Sequence, residues 1–186
     1  MMYELLFELP WRKERFDKQD WILNYTKVRY GKTTDEINEA WDILSKTIYN
    51  CPKQSKQEGP SESVLCARPA LDINRVSSWG TSNIYYNIDS VRMAAELMLS
   101  VADQFTGNNN FEYDLVEIVR QTISDKAYYL QKDITKAFRD KNKIEFARLS
   151  KSFLNLVLAQ DSLMQTRPEF MVGSWLNQAK KIGKTD

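Results

Sequence analysis

The stretch from Phe111 to Asp140, FEYDLVEIVRQTISDKAYYLQKDITKAFRD, decides the fold class. Its apolar residues Leu115, Val119, Ile123, Ala127, Leu130, Ile134 and Phe138 recur at steps of three and four. A helix turns once in about 3.6 residues, so this spacing puts all of them on one face. Gly107 with Asn108-Asn109-Asn110 marks the loop before it, and Asp140-Lys141-Asn142-Lys143 reads as a tight turn after it.

Working outward, a second long helix is predicted over 143–165, with Phe146, Leu149, Phe153, Leu156, Gln160 and Leu163 on its face and Pro168 beyond its end. Two long helices joined by a short turn lie antiparallel. A third spans 89–105, capped by Asp89 or Ser90, with Val91, Ala94, Ala95, Met98, Val101 and Ala102 inward. The first half carries shorter helices. One spans 16–30, with Trp21, Ile22, Tyr25 and Val28 inward and Gly31 as its stop. The next spans 34–49, with Asp35 and Glu36 in its first turn and Ile37, Ala40, Trp41, Leu44 and Ile48 inward. A last short helix covers 173–182. Trp21, Trp41 and Trp175 lie on helical faces and are expected in the core. The predicted class is all-α, a helical bundle with a long irregular aromatic loop.

That loop runs from Asn50 to Ile88. Its part from Lys53 to Ser63 is polar and holds Gly59-Pro60, the composition of a surface loop. Arg68-Pro69-Ala70-Leu71 follows, then Trp79-Gly80-Thr81-Ser82-Asn83-Ile84-Tyr85-Tyr86-Asn87. Irregular segments this long in a compact domain are usually functional or disordered, and one so aromatic is not composed like a disordered chain. The helices have apolar stripes of their own, so the loop is read as unnecessary for closing them.

Composition narrows the function. The 186 residues carry a net charge of +1, which gives no electrostatic case for nucleic acid or an anionic membrane. The longest apolar runs fall far short of the ~20 residues of a membrane span. The N-terminus has no basic region like that of a signal peptide. Histidine is absent, which removes Ser-His and Cys-His nucleophiles and His-ligated zinc. Cys51 and Cys66 cannot make a structural zinc site alone. They either pair across a loop of about 15 residues or stand as small apolar side chains. Asp114 and Glu117 could form an acid pair, but on a charged helix such spacing reads as a solvated face.

Tyr3-Glu4-Leu5-Leu6-Phe7-Glu8-Leu9-Pro10-Trp11-Arg12 resembles the exit from the barrel in the α-N-acetylglucosaminidase family. Further matches follow in the family's order: Arg29-Tyr30-Gly31, Ala40-Trp41, Tyr49-Asn50-Cys51, Arg68-Pro69, Ile84-Tyr85-Tyr86-Asn87, Tyr113-Asp114-Leu115, Arg120-Gln121-Thr122 and Gly173-Ser174-Trp175-Leu176. The resemblance covers nearly the whole chain. It implies a parent enzyme with a small N-terminal domain, a (β/α)8-type barrel and a helical C-terminal domain. Such an enzyme removes terminal α-linked N-acetylglucosamine with retention, using two glutamates on the barrel.

Residues 1–15 are then expected to be an arm leaving the absent barrel, and 16–186 the helical domain, truncated at its C-terminal end. No residue here matches either glutamate's motif, so no catalytic residue, metal or cofactor is assigned and the isolated chain is expected to be inactive. The expected partners are the barrel of the same parent and a terminal α-linked N-acetylglucosamine, with no nucleic acid and no membrane. By resemblance the parent is exported, to the periplasm, cell surface or lysosome. Trp79, Ile84, Tyr85, Tyr86 and Asn87 are the candidate substrate-binding residues, since rings cover apolar sugar faces and phenol and amide groups bond hydroxyls. The alternative is that the rings simply dock the loop on the bundle. Trp11, Arg12 and Arg68 are candidates for the domain interface; for Arg68 the alternative, and the favoured reading, is a structural bridge between helix and loop. A stand-alone helical binding or scaffolding module, with the aromatic loop as its partner surface, is the competing reading.

Overall fold

The computed structural model describes residues 1–51, 61–77 and 81–183. Among them are seven α-helices and no β-strand, with isolated bridges joining Thr81 to Ser61 and Arg75. The helices are α1 (Met2–Glu8), α2 (Lys18–Tyr30), α3 (Asp35–Lys46), α4 (Ile88–Ser100), α5 (Asn109–Arg139), α6 (Lys143–Met164) and α7 (Val172–Ile182). Every helix read from periodicity is present. α1 lies within residues 1–15, where periodicity predicted no helix. The last turn of the third predicted helix tightens into a 3-10 turn, Ala102–Phe105. Contacts divide the chain into two compact units: residues 1–50 with 89–115, and 51–88 with 116–186.

Local chemistry sets the ends of the helices in the first unit. Asp17 caps α2 by accepting from the backbone N–H of Gln19 and Asp20, and Thr34 caps α3 by accepting from Ile37. Gly31 ends α2 at φ 75°, a conformation that suits residues without a Cβ. The asparagines before α5 do more than form a loop. Asn108 Nδ2 donates to the carbonyl of Tyr30 at 2.7 Å, and Asn110 Nδ2 to that of Arg29 at 3.0 Å, satisfying carbonyls that α2 leaves open. Asn108 Oδ1 also accepts from the Phe111 N–H at 3.1 Å.

The core of this unit is aromatic. Trp21 stacks on Tyr25 at 5.3 Å, Tyr25 meets Trp41 edge-on at 5.2 Å, and Phe105 stacks on Phe111 at 4.5 Å. Ile22, Ile37, Ala40, Leu44, Val91, Ala94 and Met98 fill the rest. Val28, expected inward, is exposed; Thr26 and Tyr30 take the buried positions on α2. A polar network lies inside this core. Arg29 Nε and Nη2 donate to the two oxygens of Asp114 at 2.5 and 2.8 Å, and the Tyr30 hydroxyl donates to Asp114 Oδ2 at 2.7 Å. Trp41 Nε1 donates to the Tyr30 oxygen at 3.0 Å. Burial first, and then the charge of Asp114, push the Tyr30 phenol far above its ordinary pKa. Asp114 is therefore not on a solvated face. It is buried, and Glu117 pairs separately with Arg120 at 2.7 Å.

In the second unit α6 turns back along α5. Lys141 adopts φ 56° in the turn, and Asn142 caps α6 by accepting from the Glu145 N–H at 3.1 Å. The rings of Phe138 and Phe146 meet near the turn, 5.8 Å apart. Farther along, Ile134 of α5 and Phe153 and Val157 of α6 line an apolar groove of about 360 Å³. Its remaining wall comes from the irregular segment, through Val64, Leu65, Pro69, Ala70 and Ile73. This corrects the expectation that the helices close without the loop.

It also explains the burial along α5. Of the predicted face only Ala127 is fully buried, and Phe138 is exposed. The buried positions instead include Ser124, Asp125, Gln131 and Thr135. Gln131 Nε2 donates to the carbonyls of Ala70 and Leu71 at 3.1 and 2.6 Å, and Thr135 Oγ1 donates to Leu71 as well. A loop packed on a helix needs donors for its carbonyls, and polar side chains supply them. Trp175 does not enter a core: it is 67% exposed, on a helix that contributes no buried residue. Cys51 and Cys66 are both exposed and are not joined in a disulfide.

Candidate functional site

The aromatic segment runs directly into α4, which starts at Ile88. Its beginning is tied to the rest of the irregular region. Ser82 is buried and donates its hydroxyl to the Ile73 carbonyl at 3.0 Å. Ser61 Oγ donates to the Asn83 carbonyl at 2.5 Å, and the Glu62 N–H to that of Thr81 at 2.8 Å. Asn83 N–H folds back on Thr81 Oγ1 at 3.1 Å, a local turn that aims the chain toward Ile84.

Ile84, Tyr85 and Tyr86 are half-buried and Asn87 is exposed. The two tyrosine rings pack edge to face, with centroids 5.3 Å apart. The Tyr86 hydroxyl turns to α5, where it donates to Asp125 Oδ1 at 2.8 Å. Gln121 Nε2 donates to the Tyr86 oxygen at 2.8 Å and to Asp125 Oδ1 at 2.9 Å. Burial raises the Asp125 carboxyl above its ordinary pKa, opposed by the bonds from Gln121 and Tyr86. Burial, then the charge and hydrogen bond of Asp125, push the Tyr86 phenol far up. The Tyr85 phenol is also raised, by burial and then by Cys51.

Four of the five candidate substrate residues thus form one continuous stretch. Tyr86 is its anchor, and Tyr85 and Asn87 flank the anchor in sequence. Trp79 lies outside the described residues. Of the interface candidates, Trp11 is 86% exposed. Arg12 bonds Glu8 and lies over the Phe16 ring at 4.8 Å. Glu8 also accepts from Trp21 Nε1 at 2.6 Å, the main cause of its lowered pKa, so Arg12 is tied through Glu8 to α2. Arg68 is exposed and makes no ion pair among the described residues. The residues that sequence reasoning missed are Gln121 and Asp125. The signal was available in principle: Asp114, Gln121 and Asp125 share one face at steps of seven and four, but a polar face is ordinarily a solvated one.

Phenol, amide and ring surface follow one another in this stretch, and the Asp125 carboxylate accepts from Tyr86 and Gln121. No group of three His, Cys, Asp or Glu side chains that could hold a metal ion occurs among the described residues, and no helix there is long and apolar enough to cross a membrane.

The family model described as the alpha-N-acetylglucosaminidase (NAGLU) C-terminal domain matches residues 21–186. Human alpha-N-acetylglucosaminidase is 29% identical over 182 residues, which is 97% of this chain and 23% of the human protein. A family 89 glycoside hydrolase from Clostridium perfringens, solved with 2-acetamido-1,2-dideoxynojirmycin, matches at a TM-score of 0.92 and 33% identity over 99% of this chain and 21% of its own. A structure of the clostridial protein with its substrate GlcNAc-alpha-1,4-galactose matches equally, at 0.92 and 33% over the same shares. The chain spans less than a quarter of the length of these relatives.

Proposed function

The chain belongs to the α-N-acetylglucosaminidase family as its C-terminal domain, and from that premise we propose that it is the helical region of an exo-acting, retaining α-N-acetylglucosaminidase. In this reading it packs on the catalytic barrel of the same parent, and Ile84 to Asn87, with Trp79, help wall the cleft that takes a terminal α-linked N-acetylglucosamine. Relatives several times longer favour a domain of a larger enzyme over a stand-alone module.

The observation that carries the cleft role is the anchoring of the segment. The half-buried phenol of Tyr86 ties the segment to α5 through Asp125 and Gln121, and this tie is what would hold the adjoining Tyr85 ring and Asn87 amide in place. Packing on a larger partner is supported by large apolar side chains left in water. On α1 and the turn after it these are Leu6, Phe7 and Trp11; on α7 they are Val172, Trp175, Leu176 and Ile182. Trp11, Arg12 and Arg68 keep their place here as interface residues.

The test is a paired one in the full-length parent. Tyr85→Ala and Asn87→Ala are measured for kcat/KM on an aryl α-N-acetylglucosaminide and for melting midpoint. A ring against a sugar contributes about 1 kcal/mol beyond its area, or roughly fivefold in affinity. The expected outcome is a loss of at least that size with the midpoint nearly unmoved. Unchanged kcat/KM in both variants, or collapse of both midpoints, makes the segment a packing element and overturns the cleft role. Tyr86→Ala is a poorer probe, because it also strips a hydrogen bond from buried Asp125.

A further inference from the structure

Asp125 is 2% exposed, and its Oδ2 is buried with no hydrogen-bond partner. All of its bonding runs through the other oxygen, to Tyr86 at 2.8 Å and Gln121 at 2.9 Å. For stability alone this is a poor choice. A buried carboxylate oxygen without a donor is costly, and an amide or aliphatic side chain of similar size avoids that cost. What the carboxylate offers in return is a strong acceptor, since hydrogen bonds to ionised groups are roughly twice as strong as neutral ones. Destabilising groups of this kind are retained where function needs them.

We propose that Asp125 is a positioning residue, whose carboxylate fixes Tyr86 on α5 and, through it, the orientation of Ile84 to Asn87. The value of this to sugar binding rests on the cleft reading above; the holding itself does not. Asp125→Asn keeps an acceptor for Tyr86 and removes the charge. Asp125→Leu removes both and keeps the bulk.

Amide hydrogen exchange is followed on the full chain for both variants, and KM and kcat are measured for them in the full-length parent beside Tyr85→Ala. In Asp125→Leu the amides of residues 84–87 are expected to exchange about tenfold faster or more, the scale of one lost hydrogen bond to a charged group. Asp125→Asn falls between Leu and wild type there, with a melting midpoint at or above wild type. In the parent, KM rises severalfold in the same order and kcat is kept, the pattern of weakened binding. Faster exchange at 84–87 with KM unchanged supports the positioning role and overturns the cleft reading instead. Unchanged exchange there in Asp125→Leu overturns the proposal whatever KM does. Should Asp125→Leu fail to fold, Asp125→Asn decides: acceleration confined to 84–87 supports the proposal, and acceleration spread along α5 with a lowered midpoint overturns it.

Discussion

Replacing Asp114 with alanine should cost the first unit about 3 kcal/mol. The carboxylate accepts three hydrogen bonds, two from the Arg29 guanidinium and one from the Tyr30 hydroxyl. Removing one partner of a fully buried ion pair costs about 3–5 kcal/mol, because the other charge is stranded. Arg29 keeps 22% of its side chain in water, so hydration repairs part of its loss and the lower end applies. Tyr30 is 3% exposed and has no such recourse; its hydroxyl loses its acceptor although Trp41 still donates to it. For a domain of this size each kcal/mol moves the melting midpoint by roughly 2–4 °C, so a fall of roughly 6–12 °C is expected. Asp114→Asn, which keeps the volume and one acceptor oxygen, should lose about half as much. Thermal and urea unfolding followed by circular dichroism measure both. Were Asp114→Ala to stay within about 1 kcal/mol of wild type with its aromatic circular dichroism intact, the network would be peripheral and the reasoning refuted.

Asn108→Ala should lower stability by about 1–2 kcal/mol, since one side chain serves the end of α2 and the start of α5; an unmoved urea midpoint would show that water replaces it at no cost. Asp125→Asn tests the buried charge by pH. Burial raises the folded carboxyl above its unfolded pKa, so the native state takes up the proton first and the penalty of the charge fades as pH falls through the folded value. The variant's gain in midpoint is therefore expected to be larger at about pH 7 than at about pH 4, and an equal gain at both contradicts the argument. Trp41→Ala should cost about 3–5 kcal/mol and Trp175→Ala under about 0.5 kcal/mol in this chain, a contrast set by burial of 3% against 67% exposure; comparable losses would place Trp175 in a core. The isolated chain is expected to leave an aryl α-N-acetylglucosaminide intact, and turnover abolished by a single Asp or Glu substitution here would reverse that.

The positions of α2 to α7 were legible because their causes are largely local, whereas α1 was not read from periodicity. Asp17, Gly31, Thr34 and Asn142 act within a few residues of themselves, and their cap and stop roles follow from side-chain chemistry and backbone freedom. The inward faces of α3 and α4 were legible for the same reason, because each buries an apolar stripe; on α6 only Leu149 of the predicted face is buried and the rest is half-buried. The order of short motifs along the chain also carried the family. What periodicity could not reveal was which side of α5 is covered by irregular chain. There the covering surface is backbone carbonyl and phenol, so the buried residues are Gln131, Thr135 and Asp125, which in sequence look like a solvated face. Asp114 was misread in the same way, since its partners Arg29 and Tyr30 stand more than eighty positions earlier. Trp175 shows the converse: an amphipathic pattern states that a face can be buried, and only tertiary packing decides whether anything within the chain covers it.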